Sequence, residues 1–120
     1  MLFEGIPIVR KCFLIIILSA TISASVRADE AKDTLVAFLY TRTLKLAAAC
    51  KVIIDEPKLF GNLTNVGGDV RRMRAELVFY KKKQVHDDKI SAALRMGETS
   101  AIEQGDCEKN KDALSRARAQ

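Results

Sequence analysis

The chain has 120 residues, 29% of them charged and 48% hydrophobic, with 20 Lys and Arg against 15 Asp and Glu. That length bounds the fold to one domain with a modest core. A net charge of +5 is far from that of a histone-like polycation, and no internal repeat or low-complexity tract is present.

Residues 1–28 read as a cleaved secretory signal peptide. Arg10 and Lys11 supply the positive end, although the stretch ahead of them is long for its type and carries Glu4. An apolar run follows from Cys12 through Phe13, Leu14, Ile15, Ile16, Ile17 and Leu18 towards Ile22. Small residues then lead to a cut after Val26-Arg27-Ala28, with Ser23-Ala24-Ser25 as the alternative. The rival reading is a permanent anchor, and a membrane-spanning helix needs about 20 apolar residues. The run from Cys12 to Val26 has 15, diluted by Ser19, Thr21, Ser23 and Ser25. Cys12 precedes the run, which argues against a lipidated cysteine.

A cut after Ala28 removes three basic residues and one acidic one, leaving 17 against 14 and a net +3. It also removes Cys12, so Cys50 and Cys107 become a pair in an oxidising compartment, where a bridge is favoured. Their separation of 57 residues corresponds to about 4 kcal/mol in the chain-entropy account. No CxxC motif and no activating neighbour points to a redox site.

Residues 29–120 read as a single all-α domain, a small three- to four-helix bundle. Gly is sparse, Pro57 is the only proline after the signal, and no segment alternates as a strand does. The first helix is expected over about Glu30–Ile54, with Asp29, Glu30 and Asp33 complementing its dipole. Its core face is read as Leu35, Phe38, Leu39, Leu46, Ala49, Cys50 and Ile53, widened by Leu44, Ala47, Ala48 and Val52. Pro57 then bars helix continuation, so Asp55-Glu56-Pro57-Lys58 is a connector and Leu59, Phe60 and Leu63 fold back as a lid. Gly67-Gly68 is a second break, followed by Asp69 as an N-cap.

The second helix, about Val70–Gln84, is the cleanest amphipathic element. Val70, Met73, Leu77 and Tyr80 fall within an arc of about 80° at 100° per residue. The third helix is expected over about Asp88–Met96, either separate from the second or continuing directly from it, with Gly97 as its terminator. Ser100 and Glu103 form a capping-box pattern for a last helix containing Ile102, Cys107, Ala113 and Leu114, closed by Arg116 and Arg118.

Charge is concentrated. Residues 57–84 carry seven basic and two acidic groups. Arg71, Arg72, Arg74 and Lys82, interleaved with Val78 and Phe79, make the second helix a candidate partner surface for an acidic protein or an anionic envelope component. The competing reading is a solvated basic face with Phe79 packed inward. No nucleic-acid module accompanies the charges, so nucleic acid is not an expected partner. His86-Asp87-Asp88 lacks the converging ligands of a metal site and is more simply a helix cap. No phosphate loop, nucleophile elbow or paired-carboxylate motif suggests an enzyme or a cofactor. Asn62-Leu63-Thr64 matches a glycosylation sequon, which matters only in a eukaryotic host.

The expectation is therefore a small exported protein, periplasmic in a bacterial host, with a binding or structural role in the cell envelope. Extracellular or anchored placement follows if the host or the cut differs, and membrane contact would then run through the uncleaved signal segment. A chaperone-like role without a single partner is the alternative.

Overall fold

A computed structural model of the protein describes residues 30–120. The expected signal segment and cut site lie outside the described residues. Those residues are all-helical: six helical segments where three or four were expected, no strand, and one isolated antiparallel bridge between Ile54 and Arg118.

Helix α1 covers residues 30–49. It stops short of Ile54 because Lys51 turns left-handed at φ 59°. Lys51 N–H then donates to Ala48 O and Val52 N–H to Ala47 O, which satisfies the last carbonyls. The buried stripe is Asp33, Val36, Ala37, Tyr40, Thr41 and Ala47, with Leu46 beside it. Leu35 and Ile53, expected in the core, are instead 45% and 77% exposed, and Ala49 is exposed too. Phe38 and Leu39 are half-buried. The cause is a close helix–helix approach at residues 38–42, described below, which draws small Ala37 and Thr41 inward and turns Leu35 out.

Helix α2, Glu56–Thr64, occupies the expected connector. Pro57 lies in its first turn, where no N–H is needed and the fixed φ suits a helix. The Asp55 side chain caps it, accepting Lys58 N–H at 3.3 Å. Leu59 and Leu63 are buried, and Phe60 stacks on Tyr40 with ring centroids 5.3 Å apart. The sequon therefore lies within a helix, with the Thr64 hydroxyl donating to Phe60 O.

Helix α3, Val70–Lys81, begins at the Asp69 cap as expected. It ends before Gln84 because Lys83 is left-handed at φ 58°, and Gln84 N–H closes back onto Phe79 O. The next helix is thus separate. Helix α4, Asp88–Thr99, starts at Asp87, whose carboxylate accepts Lys89 and Ile90 N–H groups.

Helix α4 does not end at Gly97. It runs to Thr99, and Gly97 is buried against α1. A Cβ there would lie 2.1 Å from Thr41 Oγ1, 2.3 Å from Phe38 O and 2.9 Å from Arg42 N. Only glycine lets the two backbones meet. Thr41 Oγ1 donates to Leu94 O at 2.7 Å across the same contact.

The expected capping box at Ser100 does not form. Ser100 Oγ donates to Gly97 O, and Glu103 N–H donates to the Asp106 carboxylate. The last helix begins only after Gly105, at φ 90°, and breaks at Asn110 into α5, Asp106–Lys109, and α6, Lys111–Ala117.

Helix α3 packs on α4, and α2 on both α6 and α3. Val36, Ala37, Tyr40, Leu59, Leu63, Met73, Leu77, Ile90 and Leu94 form the main core, so α1 is shared by all of them. A smaller cluster of Leu46, Ala47 and Leu114 sits beside Cys50. Cys50 and Cys107 are joined by a disulfide, as expected, tying α5 to the end of α1. The C-terminus is held by Asp55 N–H on Ala117 O and Ala119 N–H on Ile53 O, both at 2.8 Å. No helix among the described residues is long and apolar enough to cross a membrane.

Candidate binding cleft

The six residues of the expected partner surface do not share one free face. Arg71, Val78 and Lys82 do: they fall within about 40° of one another around α3 and are all exposed. Arg72, Arg74 and Phe79 are engaged within the molecule. Arg74 lies over the Phe60 ring, 4.4 Å from its centroid. Phe79 stacks on His86 at 4.4 Å, and His86 Nδ1 lies 2.6 Å from Glu76 Oε1. The interleaving of Phe79 with the cations is therefore packing rather than display.

Arg72 bridges two carboxylates from different parts of the chain. It donates to Asp33 Oδ2 at 3.1 Å and, more closely, to Asp87. Asp33 is buried and its other oxygen accepts Asp69 N–H at 2.6 Å, so α1, the α3 cap and the α4 cap meet at one guanidinium. Backbone donation from Ile90 and the Arg72 charge together hold the Asp87 carboxyl below its usual range. Arg72→Ala is expected to destabilise the fold by about 1–2 kcal/mol, well under the figure for a fully buried pair because the guanidinium is half-exposed. Urea unfolding measures it, and Arg71→Ala should change nothing comparable.

A different site lies between α1, α3 and α4, with the start of α2 at one end. It is a hollow of about 410 Å³ lined by Tyr40, Thr41, Leu44, Lys45, Glu56, Leu77, Tyr80, Lys81 and Glu98. Leu44 and Leu77 give it an apolar floor. A second hollow of about 500 Å³ lies on the other side of Tyr80, Lys81 and Glu98, which line both, and the second adds Lys83, Gln84, Val85, Ser91 and Arg95. The two tyrosine hydroxyls are each taken up by a carboxylate: Tyr40 donates to Glu56 at 3.3 Å and Tyr80 to Glu98. Lys45 reaches across to Ser100 O at 2.6 Å.

These are the chain's two tyrosines, and burial, followed by the neighbouring glutamate, pushes each up to about 12. A raised pKa favours the neutral phenol in the folded state. Stability is then complete below pH about 10, where the unfolded phenol is also neutral, and is lost as pH rises towards 12. Tyrosinate absorbance should stay near zero at pH about 10.5 in the folded protein, while the protein in denaturant is more than half ionised. Coincident titration of the two samples would contradict the burial.

Sequence reasoning missed this cleft. Glu56 was placed in a connector and Glu98 beyond a helix end. The available signal was two phenols on otherwise apolar faces, since a buried tyrosine hydroxyl needs a partner. Among the described residues no group of three or more His, Cys, Asp or Glu side chains is placed to hold a metal ion. No protein-family model matches the chain, and neither a curated protein nor a solved structure matches it.

Proposed function

We propose that this is a small exported binding protein of the cell envelope, periplasmic in a bacterial host, and that the cleft between α1, α3 and α4 is its binding site. The observation that carries this reading is a hollow lined by half-buried Leu44 and the edge of the core residue Leu77, beside two satisfied tyrosine hydroxyls. Hollows of about 300–1,000 Å³ with an apolar floor and a few placed polar groups are the usual form of a ligand site. The outer stripe of Arg71, Val78 and Lys82 is flat and mostly charged, and it is the lesser candidate.

The test is a nitrogen-labelled NMR titration with small aliphatic and aromatic compounds of all charge types. Localised shifts at Leu44, Leu77, Tyr80 and Lys81 support the reading. Shifts confined to Arg71, Val78 and Lys82, or none at all, would remove it. The chaperone-like alternative draws on Leu35, Val78, Val85 and Met96, which are between 45% and 64% exposed. It requires that the protein suppress aggregation of unrelated clients, undiminished when the cleft is blocked.

A further inference from the structure

We propose that the cleft takes an amphipathic anion, a small molecule with an apolar body and one anionic head such as a carboxylate. This rests on the reading of the cleft as the binding site and adds the class of ligand. The two adjoining hollows differ in chemistry. The first is lined by Leu44, Leu77 and Tyr40 with Glu56 and Lys45, whose ammonium is taken up by Ser100 O, while Lys81 and Glu98 are common to both hollows. The second brings together Lys81, Lys83 and Arg95, with Glu98 as the single acid among its lining residues. Tyr80 forms the wall between them, and its hydroxyl already donates to Glu98.

The cations are not explained by local helix chemistry alone. Lys81 and Lys83 stand at the C-terminal end of α3, where positive charge complements the helix dipole. Arg95 sits in the interior of α4, between Asp88 and Thr99, where the dipole offers nothing. It nevertheless converges on the same hollow from the opposite helix. None of the three forms an ion pair with a described residue. Lys83 is held in its place by a left-handed backbone and the closure of Gln84 N–H onto Phe79 O.

Three like charges around one cavity repel, and a bound anion relieves that repulsion. At the other end of the site stands Glu56, which would repel an anionic head and admit an apolar tail beside Tyr40. The arrangement therefore has a direction: tail towards Leu44, head towards Arg95. Apolar burial supplies most of the affinity and the charges supply orientation and selectivity.

Calorimetric titration of the exported protein tests this with decanoate, decanol and decyltrimethylammonium, each below its micelle concentration. Decanoate should bind one-to-one, at least about tenfold more tightly than decanol, and the cationic analogue should be weakest. Lys81→Glu with Arg95→Glu should weaken decanoate by about tenfold or more, with helical content unchanged by circular dichroism. The outer pair Arg71→Glu with Lys82→Glu should leave decanoate binding as it was. Added salt should weaken decanoate and spare decanol. Equal binding of decanol and decanoate would overturn the assignment while leaving the cleft as a binding site, as the NMR titration would show independently. Equal loss in the outer pair would also overturn it. So would association with phosphatidylglycerol vesicles in the absence of a one-to-one decanoate site, because the source of the anion would then be a membrane surface.

Discussion

Replacing Gly97 with alanine is expected to destabilise the protein by about 3 kcal/mol or more, although alanine is the better helix former by about 1 kcal/mol. The added methyl would meet Thr41 Oγ1 and the Phe38 carbonyl oxygen at little over 2 Å. The carbonyl is backbone and cannot swing away. The Thr41 side chain is buried and bonded to Leu94 O, so it cannot move without breaking that bond. Helices α1 and α4 must separate, and Tyr40, Ala93 and Leu94 lose contacts with them. Packing therefore outweighs propensity. Gly61 in α2 is the matched control, because a Cβ there meets nothing within 4 Å. Gly61→Ala should leave stability unchanged or raise it by up to about 1 kcal/mol. Thermal unfolding reads both: a fall of at least about 12 °C for Gly97→Ala, at the usual few degrees per kcal/mol for a domain of this size, and no fall for Gly61→Ala. A similar response in the two variants would mean that the helices do not meet at Gly97.

Removal of the disulfide is the second large effect. Cys50→Ala with Cys107→Ala should cost about 4 kcal/mol, since the bridge closes a loop of 57 residues. Typical domains have only about 5–15 kcal/mol in total, so the double variant is expected to be marginal at best. The loss should also be uneven. Helix α5 has four residues, none buried, and no side-chain cap, so it is tied to α1 by the covalent link and by the Arg42–Asp106 ion pair at 3.8 Å alone. Amide exchange over residues 102–110 should approach the unfolded rate in the double variant at a temperature where Met73, Leu77 and Leu94 remain protected. Uniform exchange across both regions would show that the bridge acts only through the unfolded chain.

What could be read from the residues follows a physical pattern. Features set by nearest neighbours were legible. Asp69 and Asp87 were recognisable as caps because their carboxylates need only the next turn of backbone. The cysteine pair was legible from its count, once Cys12 was set aside. Asp55 and Pro57 carried an equally local signal, a cap followed by a first-turn proline, which was read as a stop when it was a start. Gly97 was ambiguous by nature: a glycine near a helix end serves as a terminator or as a contact point, and only the partner helix decides. That same contact fixes which side of α1 faces inward, so the misplacement of Leu35 follows from Gly97 rather than from the periodicity, while Ile53 lies beyond the left-handed Lys51 that ends the helix. The cleft was illegible for a stronger reason. Tyr40, Glu56, Tyr80 and Glu98 come from four helices, and nothing in their spacing along the chain announces that they meet.

The pairing of the two tyrosines at this site has a practical consequence. The chain contains no tryptophan, so its intrinsic fluorescence comes from tyrosine alone. Both emitters line one cavity, and each hydroxyl is bonded to a glutamate that quenches or shifts its emission according to the strength of that bond. The protein's entire native emission is thus a local signal from its candidate site. Any molecule that enters between Tyr40 and Tyr80 should change it, without a label and without a second chromophore to subtract.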